Sequence, residues 1–242
     1  MSSIAIEFDK VVAGYGELMI LNRLSFKARE SKITLLLGPN GAGKSTALKT
    51  LFGILKVRQG QIRLHGQDLR GAVPKDLLTK HGFVFVPQGR NLFGQLTTYE
   101  NLELGGMTLG IKETRARIPE ALEHFPRVKE RLDSPASSLS GGEQKQLELA
   151  RALLLRPKVI LIDEPSIGLS PIVVSDVFQL LKKLSRQGTT VLLVEQNIKS
   201  GLKIADDVIA MESGRLILEK PADQVMGDPH FESLLLGGHA AT

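Results

Sequence analysis

A glycine-rich segment carries the clearest chemistry in this chain of 242 residues. It follows an apolar run at 33–37, precedes a helical pattern and has the spacing Gly-x-x-x-x-Gly-Lys-Ser. Glycines let backbone N–H groups turn towards an anion, and the start of a helix adds the positive end of its dipole. Lys44 is predicted to reach the β and γ phosphates of a nucleotide, and Ser45 to bind Mg²⁺. The phosphate-binding segment consists of Gly38, Pro39, Asn40, Gly41, Ala42, Gly43, Lys44, Ser45 and Thr46.

Two carboxylates, Asp163 and Glu164, follow a second apolar run at 159–162. Burying charged groups at the end of a strand is costly unless a cation or a substrate faces them. Asp163 fits a partner of Mg²⁺, either directly or through a water molecule. Glu164 fits the general base that orients an attacking water.

A third cluster, Ser140-Gly141-Gly142-Glu143, lies between Leu139 and Gln144. Ser-x-x-Glu is the pattern of a helix capping box, in which each side chain bonds the other residue's backbone N–H. A capped helix start with two glycines also exposes backbone N–H groups that can hold an anion. Both interpretations predict that a helix starts at Ser140. The apolar stripe of this helix indicates that it ends before Pro157.

These clusters need elements that bring them together. Four short apolar runs, at 33–37, 83–86, 159–162 and 191–194, are each followed by polar residues. Continuous apolar strands of this kind are typical of a parallel sheet that is buried on both faces. Ligands of open parallel sheets bind beyond the carboxyl ends of the strands, so the sequence predicts one crevice shared by all four segments.

The remaining segments predict an α/β fold with two additions. Alternating residues at 4–26 and 61–64 indicate antiparallel strands, and residues 89–157 have helical periodicity. We expect one domain, 1–242, in which a core (1–88 and 158–242) receives the helical insert. A terminal helical region is predicted from Lys220 to Leu236.

Composition excludes several classes of protein. The chain has no cysteine, so it forms no disulfide and no thiolate metal site. Its net charge of +5 favours an anionic partner, but no dense basic run is interleaved with aromatics, which argues against nucleic acid. No apolar run approaches the roughly 20 residues of a membrane span. Residues 1–7 do not resemble a secretory signal, so we expect a cytosolic chain.

Together, the phosphate loop, the Leu-Ser-Gly-Gly-Glu-Gln segment and the strand ending in Asp-Glu resemble the ATP-binding cassette ATPases, which have a P-loop NTPase core. The resemblance spans residues 15–196 and implies ATP and Mg²⁺ as ligands. It implies that Tyr15 stacks on adenine and that Gln88 binds Mg²⁺ or the attacking water. It also implies that Ser140 to Glu143 act on the ATP of a second cassette, in a homodimer or a heterodimer.

Two residues depart from the common family pattern. Ser170 stands where an aspartate is usual, and Gln196 stands where most members have a catalytic histidine. The segments Glu-Pro-Ser-x-Gly-Leu at 164–169 and Val-Glu-Gln-Asn at 194–197 resemble the ATPases of branched-chain amino-acid importers of the LivF type, or relatives such as urea importers. A regulatory cassette with little hydrolysis of its own is the alternative.

The importer resemblance implies partners. These are membrane-spanning permease subunits, a substrate-binding protein that acts indirectly, and a peripheral position on the inner face of the plasma membrane. In this family the surface after Gln88 receives a short helix of the permease. Here that surface would include Leu92, Phe93, Leu96 and Tyr99, a cluster that is more apolar than most exposed loops.

Overall fold

The computed structural model describes residues 3–89 and 91–226, which form two β-sheets and eight α-helices. The strands are β1 (Ile4–Tyr15), β2 (Leu18–Arg29), β3 (Ile33–Leu37), β4 (Val57–Leu64), β5 (Gln67–Asp68), β6 (Phe83–Val86), β7 (Val159–Asp163), β8 (Thr190–Val194), β9 (Asp207–Glu212) and β10 (Arg215–Pro221). The helices are α1 (Lys44–Leu51), α2 (Pro74–His81), α3 (Thr98–Gly105), α4 (Ile111–Leu122), α5 (Pro126–Lys129), α6 (Gly141–Leu153), α7 (Pro171–Arg186) and α8 (Ile198–Leu202).

The core sheet has the strand order β10-β9-β3-β8-β7-β6. The strands β3, β6, β7 and β8 are the four predicted apolar runs, and they pair in parallel. Every residue of β3, β7 and β8 is buried, because α6, α7 and α8 cover one face of the sheet and α1 with strands β1 and β2 covers the other. The predicted α/β class and parallel core are confirmed.

One edge of the core sheet differs from the prediction. Strand β9 pairs in parallel with β3, and β10 pairs antiparallel with β9. The predicted start of a helical region at Lys220 and Pro221 is wrong, because both residues pair with β9 at the end of β10. A proline at this position is tolerated because an edge strand leaves one side unpaired. A short 3-10 helix follows at Ala222–Gln224, and the part of the predicted region from residue 227 onwards lies outside the described residues.

The second sheet is antiparallel, with the order β2-β1-β4-β5, and confirms the predicted strands at 4–26 and 61–64. Between Gln88 and Pro157 the described residues form helices α3 to α6 and connecting loops. Helix α6 has the predicted start, and its residues Leu147 and Ala150 are buried. The division into a core and a helical subdomain stays a prediction. Within the described ranges, no helix is both long and apolar enough to cross a membrane.

Gly214 joins the two sheets beside the phosphate loop. Its N–H donates to the carbonyl of Ala42 at 2.9 Å, and its carbonyl accepts from the N–H of Asn22 at 2.9 Å. Its φ is 74°, and an added Cβ would lie 1.8 Å from the Ile20 carbonyl oxygen. A side chain therefore has no space at this junction.

We predict that Gly214→Ala lowers the free energy of unfolding by about 2 kcal/mol more than Gly66→Ala does, because only the first creates a clash. Gly66 is the matched control, since its φ of 79° imposes a similar backbone cost but nothing lies within 4 Å of an added Cβ. Urea denaturation of the two variants measures the difference. Equal losses would show that backbone strain alone selects glycine at Gly214.

Candidate nucleotide site

The phosphate-binding segment forms a concave turn between β3 and α1. Gly41 and Gly43 have φ values of 83° and 100°, which favour glycine, and the N–H of Ala42 bonds the carbonyl of Pro39 at 3.1 Å. Helix α1 begins at Lys44, so its unpaired N–H groups face the same concavity. The sequence folds this way because glycines allow the turn and an apolar helix face packs behind it.

The Lys44 amino group lies inside this turn. Its Nζ donates to the carbonyl oxygens of Gly38 at 2.8 Å and Pro39 at 3.1 Å. Burial lowers the pKa of Lys44, while the nearby carboxylates of Glu164 and Asp163 oppose that shift. The amino group can therefore serve as a cation for phosphate, because rotation about its side-chain bonds turns it from the carbonyls towards an anion.

A cleft of about 420 Å³ opens over the turn. The structure brings ten of the predicted site residues and one additional apolar residue, Ile20, to its walls. The lining residues are Tyr15, Ile20, Asn40, Gly41, Gly43, Lys44, Ser45, Thr46, Gln88, Glu164 and Gln196. Ile20 was missed because it lies in an ordinary alternating strand pattern, which carries no signal for a ligand.

Tyr15 stands at the edge of this cleft, at the end of β1. Its side chain is 45% exposed. The Lys49 Nζ lies 5.8 Å from the centre of the Tyr15 ring and donates to its hydroxyl at 3.3 Å. An exposed aromatic ring beside a phosphate turn can stack on a planar base.

The carboxylate of Glu164 lies at the centre of an amide network. Gln88 Nε2 donates to Glu164 Oε2 at 2.7 Å, and Gln196 Nε2 donates to Glu164 Oε1 at 2.9 Å. Gln196 Nε2 also lies 3.1 Å from Asn40 Oδ1, on the phosphate-binding segment. Residues from the ends of β3, β6, β7 and β8 therefore meet at one point, as the parallel sheet predicted.

Asp163 is buried beside this network. Burial is the main cause that raises the pKa of Asp163, and a hydrogen bond from the Ser45 hydroxyl opposes it. Its Oδ1 has no hydrogen-bond partner within the described part of the chain. A buried carboxylate oxygen without a donor, next to a serine hydroxyl, is a suitable environment for a hard cation.

A buried carboxylate that the motif analysis left without a role, Glu195, supports the loop after Glu164. Its side chain is fully buried and accepts from the Ser166 N–H at 3.0 Å and from the Ser166 hydroxyl at 2.7 Å. Burial raises the pKa of Glu195, and the hydrogen bonds from Ser166, Asn197 and Gln196 oppose the rise. An acidic residue directly after the apolar strand β8 was the available signal.

Glu195 also explains how Glu164 holds an unusual backbone conformation. Glu164 has a φ of 49°, and its N–H donates to the carbonyl of Val194 at 2.9 Å. A left-handed conformation is uncommon for a residue with a side chain and persists where its surroundings enforce it. Ser166, two residues after Glu164, donates two hydrogen bonds to the Glu195 carboxylate, and these bonds provide that constraint.

The segment Ser140 to Glu143 does not line the cleft of its own chain. The Ser140 N–H donates to Glu143 Oε2 at 2.7 Å, and the Glu143 N–H donates to Ser140 Oγ at 3.3 Å, so the predicted capping box is present. Ser140 and Gly141 are exposed, and nothing lies within 4 Å of a Cβ added at Gly141. The start of α6 is therefore open to a ligand from outside.

Ser170 is the residue before α7, and its side chain makes no capping hydrogen bond. It is exposed, as are Ile167 and Gly168 in the same loop. Within the described ranges, the serine that replaces the usual aspartate therefore leaves the first turn of α7 without a side-chain cap.

Comparison with known proteins agrees with this geometry. The family model described as ABC transporter matches residues 21–167. The chain belongs to the ABC transporter family. It is thus an ATP-binding cassette and an ATPase. The family membership that the motifs predicted is confirmed.

Individual relatives cover nearly the whole cassette. It is 40% identical over 233 residues to the high-affinity branched-chain amino acid transport ATP-binding protein BraG of Pseudomonas aeruginosa, covering 96% of this chain and all of the relative. It is 38% identical over 229 residues to a probable branched-chain amino acid transport ATP-binding protein, LivF, of Archaeoglobus fulgidus, covering 94% and 97% of the two chains.

A solved ATP-binding cassette has the same fold. That structure, a dimer in a post-hydrolysis state with ADP and inorganic phosphate bound, superposes with a TM-score of 0.79 and 27% identity. The superposition covers 90% of this cassette and 98% of the solved chain. The parallel core, the antiparallel sheet and the helices therefore form the architecture of a nucleotide-binding cassette.

Proposed function

We propose that Glu164 is the general base of ATP hydrolysis in this cassette. The observation that supports it is the buried carboxylate of Glu164 beside the phosphate turn, which accepts one amide hydrogen bond on each oxygen. Glu164 accepts the proton of the attacking water, and Gln88 orients that water or the metal ion. Lys44 and the N–H groups of the turn compensate the charge of the phosphates.

Gln196 takes the place of the usual histidine. Its Nε2 reaches both Glu164 and Asn40, so it lies between the base and the phosphate turn. Redirected towards the γ-phosphate, the amide donates a hydrogen bond but supplies no positive charge. Neutral hydrogen bonds are about half as strong as charge-assisted ones, so a slower but functional site follows.

Mg²⁺ fits this cleft because Asp163 offers an oxygen without a partner and Ser45 lies beside it. Ser45, Gln88 and Asp163 would hold the ion, which when bound neutralises charge on the phosphate oxygens. In the described ranges no group of three or more His, Cys, Asp or Glu side chains could hold a metal. The phosphates of ATP would complete the ligand set.

We infer further that Tyr15 stacks on the adenine ring and that Ser140, Gly141, Gly142 and Glu143 complete the site of a second cassette. The exposed and capped start of α6 supports this, because Ser140 and Gly141 are exposed and do not line the cleft of the same chain. A solved cassette of the same fold is dimeric with ADP and phosphate bound, which supports a dimeric assembly. The partner is another copy of this chain or a related cassette.

The relatives named for branched-chain amino acid transport support a role in importing branched-chain amino acids or a similar small polar solute. Permease subunits, and indirectly a substrate-binding protein, would then be partners at the inner face of the plasma membrane. The predicted permease surface has one exposed member, Phe93, while Leu92, Leu96 and Tyr99 are half-buried. Leu92 and Tyr99 pack against the core, so Phe93 offers the main apolar contact.

Glu164→Gln is expected to bind ATP normally but to hydrolyse it hundreds-fold slower, within the roughly 10²–10⁴-fold range of general-base catalysis. The change keeps the size of the side chain and removes its basicity. The rate of ATP hydrolysis under single-turnover conditions measures the catalytic loss, and the affinity for ATP measures binding. The exposed Glu130→Gln, at the end of α5, is the control, and parent-like turnover of Glu164→Gln would remove Glu164 from the role.

Ser140→Arg is expected to abolish hydrolysis while the monomer still binds nucleotide, because the added side chain blocks a surface that only a second cassette uses. Specific activity of the parent should rise with protein concentration, since the complete sites exist only in the dimer. Thr79→Arg adds the same charge on the exposed face of α2 and should have no effect. Concentration-independent activity of a demonstrated monomer would contradict the shared site.

Gln196→Ala is expected to slow hydrolysis at least about tenfold, the scale of a lost transition-state donor. Gln196→His should preserve or raise turnover. Glu164 would raise the pKa of the introduced imidazole, whose unperturbed value is about 6.5, so the gain should be largest at acidic pH and decline as pH rises through neutrality. pH profiles of both variants, measured in dimers of identical chains, test this, and full activity of Gln196→Ala would make Gln196 a bystander.

A further inference from the structure

Two side chains of α6 hold the backbone of one residue, Asn91, from both sides. The Asn91 N–H donates to Glu148 Oε1 at 2.7 Å, and Arg151 Nη1 donates to the Asn91 carbonyl at 2.7 Å. Glu148 is 7% exposed, and its other oxygen accepts from Lys145 Nζ at 2.6 Å. The sequence patterns assigned no role to these residues.

The side chain of Asn91 continues this connection to the catalytic cleft. Its Nδ2 lies 3.3 Å from the carbonyl oxygens of both Pro87 and Gly89, the two neighbours of Gln88 in the sequence. Gln88 in turn donates to Glu164 at 2.7 Å. Hydrogen bonds thus lead from α6 through Asn91 and the backbone around Gln88 to the carboxylate of the base.

The same helix reaches two surfaces of the cassette. It begins at Ser140, the exposed capping residue, and its residues Glu148 and Arg151 line a groove of about 160 Å³ beside Asn91. The Arg151 Cζ also lies 5.9 Å from the centre of the ring of Phe93, the exposed aromatic side chain next to that groove. The two side chains that hold the Asn91 backbone therefore belong to the helix that reaches both surfaces.

We propose that Glu148 is a positioning residue, which makes Asn91 move with α6 and so sets the distance between the Gln88 amide and Glu164. The proposal rests on the role of Gln88 at Glu164 given above. Glu148 and Lys145 are both buried, and separating buried opposite charges is costly. The acceptor for the Asn91 N–H therefore stays fixed on the helix when the helix moves.

A matched pair of double variants isolates the hydrogen bond from the charge. The double variant Lys145→Gln/Glu148→Gln, called the Gln pair, removes both charges but keeps an amide oxygen that can accept from the Asn91 N–H. The double variant Lys145→Met/Glu148→Met, called the Met pair, has side chains of similar length and removes the acceptor as well. Neither variant leaves a lone buried charge, which the single change Glu148→Ala would do.

The Met pair is expected to lower kcat roughly tenfold with an unchanged KM for ATP, because a small displacement of a catalytic group slows chemistry more than binding. The Gln pair should retain a kcat close to that of the parent. In a Gln88→Ala background the Met pair should cause no further loss, since Glu148 acts through Gln88. Purely structural damage would lower kcat by the same factor in both backgrounds.

Asn91→Ala provides a second route that does not alter the buried residues of α6. Asn91 is exposed, and the change removes only the two side-chain bonds around Gln88. It should lower kcat in the parent and have no further effect with Gln88→Ala. If the Met pair fails to fold, Asn91→Ala still tests whether Asn91 acts through Gln88.

Three results overturn the proposal: equal losses in both backgrounds, a Gln pair as slow as the Met pair, or parent-like turnover of both the Met pair and Asn91→Ala. Full activity of Gln88→Ala would instead refute the proposed role of Gln88, and the inference with it. A slow Gln88→Ala combined with additive losses leaves that role intact and refutes only the inference.

Discussion

The burial of carboxylates at the carboxyl ends of β7 and β8 is the constraint on which the site depends. Asp163, Glu164 and Glu195 are all shielded from water, and an isolated buried charge would be very unfavourable. Each is placed where donors or a cation can compensate it. Gln88 and Gln196 donate to Glu164, and Ser166 donates to Glu195, while one oxygen of Asp163 has no hydrogen-bond partner in the described part of the chain.

The hydrogen bonds to these buried carboxylates come from several loops of the site. The donors to Glu164 come from the segments after β6 and β8, while Glu195 holds the bend that follows β7. A shift of any one loop changes the hydrogen bonds of the others, because they share the same two carboxylates. The hydrogen bonds at Glu164 and Glu195 are therefore sensitive to a displacement of any of these three loops.

Two neutral amides donate to Glu164, and one of them, Gln196, stands where most members of this family have a histidine. Gln88 and Gln196 carry no charge at any pH, so they compensate Glu164 through hydrogen bonds alone. Their donors are directional, and their effect depends on position more than on charge. Such a network functions only if the amide groups are held in position. The hydrogen bonds between Asn91 and α6 are consistent with this requirement.

The sequence by itself determined the parallel core, the phosphate turn, the capped start of α6 and the convergence of Gln88, Glu164 and Gln196. Each rests on local spacing or on apolar runs, and strand ends of a parallel sheet meet wherever the order of strands allows. Only the tertiary structure decided that Lys220 and Pro221 continue β10, because edge pairing depends on β9 and not on local propensity. Only the tertiary structure identified the hydrogen-bond partners of Glu195 and Glu148. The donors to an acidic residue at a strand end or in a helix can be distant in sequence, so local sequence does not reveal them.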